Sequence, residues 1–217
     1  NCYNTGNVSS TTTSSNSYAG GLVGIVNGSD PAITNSYNTG RVGSTSSNSY
    51  AGGLVGIVED TATITNSYNT GEITGSSRTG GLVGEVDSYT TITIENSYNT
   101  GDVTSTSSHS FYAGGLVGRV ETTTITNSYN TGNVTSTTTS DSISSAGGLV
   151  GYASDTTTIT NSYNTGNVTS TTTSSSPTSY YYSVGGLVGR VDNNGSLSCC
   201  HNIGDISAPK SAYRVGA

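Results

Sequence analysis

The sequence predicts an all-β protein, a parallel β-helix (β-solenoid) of about six to seven three-stranded coils. The core sequence GGLVG occurs six times, at leucine-to-leucine intervals of 28 to 38 residues, which is the range of repeat architectures. Between these copies, β-branched residues alternate with polar ones at a period of two, and no segment has a helical period. Like strands one repeat apart stack most simply in parallel, with a rise of about 4.8 Å per coil.

Two motifs divide each repeat. The leucines of the GGLVG motif are Leu22, Leu54, Leu82, Leu116, Leu149 and Leu187. The second motif, NSYNTG, begins at Asn35, Asn66, Asn96, Asn127 and Asn161, with variants beginning at Asn1 and Cys199. Seven copies of one motif against six of the other predict that the chain starts within a unit. We therefore expect either an excised piece of a longer protein or ends that meet another copy.

The unit with the shortest linker shows the predicted strands most clearly. Residues 54–58 form the first strand, 63–68 the second and 72–74 a short third, and residues 59–60 make a polar corner. A β-propeller has a similar repeat length, but it requires four comparable strands per blade and an aromatic signature that this sequence does not have. The solenoid is therefore the favoured architecture.

Side-chain directions in the first strand follow from a comparison of the copies. Leu54, Gly56 and Val58 are two residues apart and are expected to point inward. The residue after GLVG is apolar, charged or aromatic in different copies, so it is expected to face solvent. Arg119→Ser should therefore leave the stability of the protein nearly unchanged. Its residues are Ile25, Ile57, Glu85, Arg119, Tyr152 and Arg190.

In the second strand, the central isoleucine is expected to point inward between outward threonines. The isoleucines are Ile33, Ile64, Ile94, Ile125 and Ile159. Continuing by twos brings Asn66 and Tyr68 inward, which predicts an internal asparagine ladder beside a tyrosine stack. A bend at the asparagine would instead turn the tyrosines outward.

The segments between the third strand and the next GGLVG vary in length, as insertions at one corner of a solenoid do. We predict one domain over residues 1–217, with variable Ser/Thr-rich loops at 9–18, 43–50, 74–79, 104–112, 135–145 and 169–183. The longest loop, with Pro177 and three consecutive tyrosines, is the strongest candidate for a partner contact. The plain alternative for each loop is a solvated connection.

Composition excludes several classes. A net charge of −7 with only six Lys and Arg residues cannot supply the surface that neutralises nucleic-acid phosphates. The sequence as given has neither an apolar run long enough to span a membrane nor a signal peptide. Low charge, abundant Ser and Thr, and the lack of Met and Trp favour an extracellular or cell-surface location.

Neither catalysis nor a metal or cofactor site is predicted. His109 and His201 have no motif partners, and the carboxylates recur at one corner as a solvated stripe, with a weak divalent-cation site as the alternative. These carboxylates are Glu59, Asp60, Asp87, Glu121, Asp155 and Asp192. Outward Thr-x-Thr pairs resemble ice-binding arrays and make an ice-binding solenoid a minor alternative, although Ala32 and Glu95 interrupt the columns.

Asn-x-Ser/Thr sequons are candidate glycosylation sites if the chain is exported through a glycosylating route. They also arise by chance in a chain rich in Asn and Thr. The sequon asparagines are Asn7, Asn27, Asn133, Asn167 and Asn194.

The combination of GGLVG-x-V with TITNSYNTGNV resembles the GLUG motif of bacterial surface and secreted proteins, adhesin-like proteins and the non-catalytic part of some immunoglobulin A1 peptidases. The resemblance covers nearly the whole chain and implies an extracellular scaffold or an adhesive role. The repeat itself carries no catalytic machinery, and no zinc-protease helix motif occurs in this sequence. Cys2, Cys199 and Cys200 depart from the pattern and occur only in the terminal copies.

We therefore predict a structural subunit of a surface filament, stacked head to tail on itself, or the shaft of a larger surface protein. The alternative is an adhesin module that binds glycans or neighbouring cells through its loops. In a stack, Cys2 of one copy lies one rung from Cys200 of the next, within reach of a disulfide, and residues 212–216 fill the missing GLVG strand. A vicinal pair of Cys199 with Cys200, or free thiols, is the other outcome.

Overall fold

A computed structural model describes residues 1–12, 16–109, 111–139, 143–173, 182–209 and 214–216 of the 217-residue chain. Within these residues the chain forms strands, turns and bends but no helix, so none is long and apolar enough to span a membrane. Parallel strands stack into five sheets, which we name A to E in chain order. The predicted parallel β-solenoid is confirmed. Each coil contains five short strands, however, and not three.

Sheets A and B form the part of the wall that follows the asparagine bend, and each has seven strands among the described residues. Sheet A contains Tyr3–Asn4, Tyr37–Asn38, Tyr68–Asn69, Tyr98–Asn99, Tyr129–Asn130, Tyr163–Asn164 and His201–Asn202. Sheet B contains Val8–Ser10, Val42–Ser44, Ile73–Gly75, Val103–Ser107, Val134–Thr138, Val168–Thr172 and Ile206–Ser207.

Sheets C, D and E follow the variable corner, with seven, six and six described strands. Sheet C contains Ser17–Gly20, Ser49–Gly52, Arg78–Gly80, Phe111–Gly114, Ser144–Gly147, Tyr182–Gly185 and Arg214–Gly216. Sheet D contains Val23–Val26, Val55–Val58, Val83–Val86, Val117–Val120, Val150–Ala153 and Val188–Val191. Sheet E contains Ala32–Thr34, Ala62–Thr65, Thr91–Glu95, Thr122–Thr126, Thr157–Thr160 and Gly195–Ser198.

The two additional strands per coil have distinct origins. Sheet C is formed by residues at the end of each variable segment and the first residues of the AGGLVG motif, such as Ser49–Gly52. The predicted second strand, residues 63–68, divides at Asn66 into Ala62–Thr65 and Tyr68–Asn69. Short strands are sufficient here because every strand except those of the terminal coils pairs on both sides within the stack.

Two apolar cores run along the solenoid. The larger core lies between sheets D and E and contains the leucine and valine of GLVG, the apolar residue two positions after GLVG, and the isoleucine column, as in Leu54, Val58 and Ile64. Ile64 pairs in register with the isoleucines above and below it, as predicted. The smaller core lies between sheets B and C, uses smaller side chains such as Val103 and Ala113, and is divided into two clusters. Each fully buried Leu or Ile contributes about 1.5 to 3 kcal/mol.

Sheets C and D pack back to back between these cores, and glycine makes this contact possible. A Cβ added at Gly56 would lie 2.9 Å from the backbone nitrogen of Ala19, and one added at Gly84 would lie 2.8 Å from that of Ala51. Real Cβ atoms do not approach a backbone this closely, so a side chain at these positions would separate the sheets. The recurring glycine of LVG therefore sets the distance between the two sheets.

The asparagine that opens each NSYNTG motif bends the chain. Asn66 has a φ of +50°, and the corresponding residues of the other copies have φ values between +48° and +52°. Asparagine tolerates this left-handed conformation better than most residues do. The bend resets the alternation of side chains, so Asn66 is exposed and Tyr68 lies half-buried on the outer face. The prediction that Asn66 and Tyr68 point inward was wrong.

The internal ladder is made by the second asparagine of the motif. Each side-chain Nδ2 donates to the carbonyl of the glycine two residues later at 2.6–2.8 Å and, in every copy but the last, to the Oδ1 of the next asparagine at 2.7–2.8 Å. The ladder contains Asn4, Asn38, Asn69, Asn99, Asn130, Asn164 and Asn202. The Gly-Gly turns between sheets C and D contact it, since a Cβ on Gly53 would lie 2.4 Å from Cγ of Asn69.

The tyrosines form an outer stack beside this ladder. Six successive ring contacts have centroid distances of 4.8–5.3 Å and interplanar angles of 2–12°. The stack ends in Tyr3, which is 68% exposed, and in His201. Burial, followed by the neighbouring tyrosines, raises the pKa of Tyr98 and Tyr129.

The last described strand, Arg214–Gly216, occupies sheet C and not sheet D. Val215 pairs with Val184 and Gly216 with Gly185. The prediction that residues 212–216 replace the missing GLVG strand is therefore wrong for the described residues 214–216, because these align with the strand that precedes GLVG. Residues 210–213 and 217 lie outside the described residues.

Candidate binding groove

At the end remote from the asparagine ladder, two columns of side chains meet at the seam between the back-to-back sheets C and D, and we call this seam the groove. The chain runs along sheet C to the Gly-Gly turn at the asparagines and returns along sheet D, so the start of each C strand lies beside the end of the D strand. The variable corner and the acidic corner therefore flank the mouth of this groove.

Two columns of side chains line the groove, and seven residues separate their members within each coil. Sheet C contributes the second residue of most of its strands, as in Tyr18, Tyr50 and Tyr112, with Arg78 in the third coil. Sheet D contributes the residue that follows GLVG. The pairs within one coil are Tyr18 with Ile25, Tyr50 with Ile57, Arg78 with Glu85, and Tyr112 with Arg119.

The prediction that the residue after GLVG faces open solvent was wrong for most coils. Ile25, in the first coil, is 45% exposed, but Ile57 and Glu85 are 4% and 3% exposed. Arg119, Tyr152 and Arg190 are half-buried. Sheet C covers this column, which explains how an isoleucine and a glutamate occupy equivalent positions.

Glu85 lies on the floor of the groove between two arginines. Its carboxylate forms an ion pair with Nε of Arg78 at 3.3 Å and a shorter one with Nη1 of Arg119. Burial raises the pKa of Glu85, and the two guanidinium groups oppose this shift without cancelling it. Arg119 thus holds a buried charge, so the predicted silence of Arg119→Ser does not follow from the structure.

Tyrosine rings and guanidinium groups alternate along the groove. The guanidinium of Arg78 lies 4.8 Å from the ring centroid of Tyr50 and donates a hydrogen bond of 3.0 Å to its hydroxyl. Tyr112 and Tyr152 stack at 4.7 Å, and the guanidinium of Arg190 lies 5.3 Å from the centroid of Tyr152. Cation–π contacts of this kind contribute about 0.5 to 2 kcal/mol each.

The far end of the groove is a closed ion pair. Arg190 binds Asp192 through two hydrogen bonds of 2.6 and 3.0 Å, and the hydroxyl of Tyr152 donates to the same carboxylate at 2.7 Å. Burial and then this hydrogen bond raise the pKa of Tyr152 to about 12. Tyr152 therefore remains a neutral hydrogen-bond donor over the physiological pH range.

Positive charge is concentrated in this groove. The structure describes the side chains of four arginines, and three of them, Arg78, Arg119 and Arg190, line it. The carboxylates paired with them are Glu85 and Asp192. Asp192 is matched by Arg190, and Asp87 lies close enough to Glu85 to raise its pKa, so two carboxylates face the two arginines there.

Sequence reasoning missed the groove. Both columns were visible as aromatic and charged residues seven positions apart across AGGLVG, but each was interpreted by itself. The signal was the glycine pair between them, because a turn that tight allows the two strands to fold against one another.

The predicted acidic corner is exposed or half-exposed and makes local contacts. Glu59 accepts a hydrogen bond of 2.8 Å from Asn27, Asp60 accepts one of 2.8 Å from its neighbour's amide, and Glu121 accepts one from the amide of Tyr89. Within the described ranges, no group of three His, Cys, Asp or Glu residues is arranged to hold a metal ion. His109 lies in the variable corner, and His201 terminates the tyrosine stack.

The outer threonines of sheet E are aligned in register, with the predicted interruptions. Thr63 pairs with Ala32 on one side, and Thr65 pairs with Glu95 on the other. Both columns are therefore discontinuous, and a lattice of equivalent hydroxyls does not extend along the whole sheet.

The cysteines occupy equivalent positions in the terminal copies. The amide of Cys2 donates to Oγ of Ser36 at 3.0 Å, as the amide of Ser36 does to Ser67 at 3.1 Å. Cys200 stands in the same serine column, while Cys199 occupies the asparagine bend with a φ of +52°. All three thiols are free in this structure, and the disulfide between copies remains a prediction.

The five sequon asparagines, Asn7, Asn27, Asn133, Asn167 and Asn194, are exposed. Several already take part in hydrogen bonds at the corner after sheet A. Oδ1 of Asn133 accepts from the amide of Asn167 at 3.1 Å, and Asn133 itself donates to Asp102. A glycan at Asn133 would use the exposed Nδ2 at the cost of its contact with Asp102.

The fold is a repeat-built β-solenoid, and its repeat defines the family. A family model described as the GLUG motif matches residues 47–74, 75–104, 109–135 and 142–169, just over half of the chain. This chain belongs to the GLUG-motif family, as the motif resemblance predicted, and with it to the surface or secreted repeat proteins. No curated protein matches the sequence.

The fold is also similar to a crystal structure described as that of a putative immunoglobulin A1 protease from Bacteroides ovatus. The TM-score is 0.65 with 25% sequence identity over 97% of this chain. Our chain spans 59% of the length of that protein, so the similarity covers a part of it.

Proposed function

We propose that this chain is a rigid extracellular β-solenoid with a structural function, either as a subunit of a surface filament that stacks head to tail or as the shaft of a larger surface protein. The proposal includes no catalysis and no cofactor. In a protein with a structural function, the buried polar side chains hydrogen-bond to one another and to the backbone. The internal asparagines do so.

The continuous asparagine ladder is the observation that carries this proposal. Each internal Nδ2 uses both of its protons, one for the next coil and one for its own glycine carbonyl. Buried networks of this kind rigidify a structure when every member is satisfied. Five parallel sheets in the same register reinforce the ladder along the axis.

Both ends of the described solenoid expose surfaces that a further coil would cover. Tyr3 is 68% exposed at one end, and Leu197, which stands in the isoleucine column, is 53% exposed at the other. Unpaired strand edges and uncovered apolar side chains favour the addition of another coil. If the protein is a filament subunit, this further coil comes from a second copy. If it is the shaft of a larger protein, the coil comes from the same chain.

Negative-stain electron microscopy of the 217-residue chain tests the proposal. Long uniform fibres identify a filament subunit, and separate rods about 3 nm long, from coils of about 4.8 Å, identify a shaft. Compact irregular or expanded particles would contradict both forms.

The thiol joint has a control within the serine column. Cys2→Ser and Cys200→Ser restore the residue that the other coils have at this position, so neither change should disturb the fold. On a non-reducing gel, the wild type should form covalent multimers that collapse with reductant, and either variant should not. A monomer band for the wild type contradicts the joint.

Adhesion to glycans or neighbouring cells is a second candidate, supported by the position of the variable segments. All six leave the solenoid between sheets B and C and therefore share one corner. Parts of them, at 13–15, 110, 140–142 and 174–181, lie outside the described residues. Replacing residues 169–183 with the short segment 74–79 should abolish binding on a glycan array. Binding that survives this replacement would exclude the longest loop.

A further inference from the structure

We propose that each head-to-tail joint between two copies contains an open slot in sheets D and E, and that this slot binds a strand–corner–strand segment of the same repeat from a further protein chain. This inference rests on the filament form of the proposed function. It adds a partner of a different kind, which attaches to the filament at its joints.

The asparagine ladder indicates how two copies meet. Each Nδ2 donates towards the C-terminal end of the solenoid, and Asn202, in the last coil, donates to the carbonyl of Gly204. Among the described residues, no further asparagine follows Asn202, and none donates to Asn4, whose Oδ1 accepts from the amide of Gly6. A donor at one end thus matches an acceptor at the other. Sheet A of one copy is therefore expected to lie directly under sheet A of the next.

In this alignment, sheets D and E each lack one strand at the joint. Among the described residues, sheets A, B and C have seven strands each, whereas sheets D and E have six. The last described strand, Arg214–Gly216, lies in sheet C, and the first, Tyr3–Asn4, lies in sheet A. In every other coil, one D strand and one E strand separate these two sheets. The D and E strands on either side of the joint therefore lie two rungs apart, or roughly 10 Å.

Two cavities lie where these strands are missing. One has a volume of about 550 Å³, and its lining includes Leu22, Val23 and Ile33 of the first coil. The other has a volume of about 290 Å³, and its lining includes Val188 and Leu197 of the last coil. These apolar side chains are half-buried or exposed, whereas the equivalent residues of the inner coils are at most 1% exposed. In the joint, the two cavities face one another and form the slot.

The backbone and the side chains of the slot together favour a segment of this repeat. In the inner coils, the leucine carbonyl accepts from two amides of the preceding coil, as Leu54 does from Leu22 and Val23 at 3.0 Å. By the same pattern, the carbonyl of Leu22 and the amide of Leu187 face the slot, where an added strand would pair with both. A leucine and a valine on the D strand and an isoleucine on the E strand would close the two cavities with the side chains that fill this place in the inner coils.

A labelled peptide with the sequence of residues 54–65, which span one D strand, its corner and one E strand, is the probe. Fluorescence anisotropy measures its binding to the 217-residue chain. Within the peptide, Ile64→Asp places a charge on the face that enters the core and should weaken binding about tenfold or more. Thr63→Asp places the same charge on the outer face of the same strand and should leave binding nearly unchanged. This pair of peptides requires no change in the chain itself.

Changes in the chain locate the site. Leu22→Asp combined with Leu197→Asp charges both faces of the slot and should weaken binding of the unchanged peptide about tenfold or more. Thr124→Asp combined with Thr158→Asp adds the same two charges to the outer face of sheet E and should leave binding unaltered. Circular dichroism monitors whether each variant keeps its strands.

The outcomes separate the slot from the filament. If the unchanged peptide does not bind, or if Ile64→Asp and Thr63→Asp weaken binding equally, the proposal is overturned even when the chain forms fibres. Fibres that exclude the peptide while single chains bind it would also overturn the proposal, because a second copy would then close the joint by itself. Binding to single chains in a preparation without fibres would support docking at the end of the solenoid and reject the filament.

Discussion

The outer wall formed by sheets E, A and B presents nearly the same side chain at every level, whereas the groove between sheets C and D presents a different one. On the wall, tyrosine rings stack at 4.8–5.3 Å and asparagine amides bond at 2.7–2.8 Å from coil to coil. In the groove, the column on sheet D contains Ile25, Ile57, Glu85, Arg119, Tyr152 and Arg190.

In the wall, identical side chains stack from coil to coil, whereas in the groove different side chains stack on one another. An amide or a phenol ring interacts favourably with its own kind in the next coil, so repetition is itself stabilising. Equal charges in adjacent strands repel. The groove follows this rule, because Glu85 is adjacent to Arg119, and Tyr152 separates Arg119 from Arg190. The wall therefore makes the solenoid rigid, and the side chains in the groove distinguish one coil from another.

The largest expected effect comes from a charge placed in the larger core, which the wall covers on the side of sheet E. Leu116→Asp and Ile125→Asp each bury a carboxylate in the larger core, where both side chains are 0% exposed, and should lower stability by about 4 kcal/mol or more. Thr124→Asp, on the outer face of the same strand, is the control and should change stability by about 0.5 kcal/mol or less. Thermal melting compares the three variants, and similar melting points would contradict the assigned inside and outside.

The next effect tests the close contact at the Gly-Gly turn. A Cβ at Gly81 would lie 2.0 Å from the carbonyl oxygen of Gly115 and 2.4 Å from Cγ of Asn99, so Gly81→Ala should cost about 3 kcal/mol or more. Gly43→Ala meets no atom within 4 Å and should be neutral or stabilising by up to about 1 kcal/mol. Urea denaturation of both variants measures the difference, and an equal loss would show that glycine acts here through flexibility alone.

Interrupting the asparagine ladder should have an intermediate effect that depends on position. Asn99→Ala removes an acceptor from Asn69 and a donor from Gly101 and Asn130, all buried, and should cost about 2 to 4 kcal/mol. Asn4→Ala, at the half-exposed end, should cost about 1 kcal/mol. Chemical denaturation gives both values. A terminal loss as large as the central one would contradict a ladder whose contribution depends on burial.

Glu85→Gln tests the groove through pH. Because the folded-state pKa of Glu85 is raised, its contribution to stability is fully present below the unfolded-state value of about 4.3 and declines as pH rises through the folded-state value. Gln has the same shape and stays neutral, so the variant should match the wild type at acid pH and be more stable than it at pH 7. Melting temperatures across this range measure the difference. A variant less stable at pH 7 than at acid pH, relative to the wild type, would show that the ion pairs outweigh the cost of burial.

The smallest effect concerns the one bend that lacks asparagine. Cys199 has a φ of +52°, in the left-handed region that asparagine adopts in the five preceding coils. Cys199→Asn should stabilise the last coil by about 0.5 to 1 kcal/mol, since asparagine occupies this region at lower cost. Melting under reducing conditions checks this, with Cys200→Ser as the matched control that keeps the bend. A destabilised Cys199→Asn variant would indicate that the thiol has a packing role.

The sequence alone determined the wall. GGLVG and NSYNTG recur at intervals that only stacked coils satisfy, and the isoleucine column follows from alternation within one strand, where every side chain obeys the same period of two. That reasoning failed at Asn66, because a single left-handed residue changes which face the following residues occupy. Asn66 and Tyr68, both predicted to point inward, therefore lie outside, and Asn69 lies inside.

The groove was decided by the tertiary structure. Alternation shows which side of a strand a residue occupies, but not which other strand covers that side. Gly56, Gly84 and their equivalents allow the backbones of sheets C and D to touch, and this contact turns a column expected in solvent into the floor of a groove. Glu85 meets Arg78 and Arg119 only because the chain reverses at the glycine pair and the next coil stacks on it. The alternation of residues within a strand predicts neither the reversal of the chain nor the stacking of the next coil. Both depend on distances between backbone segments that lie in different strands.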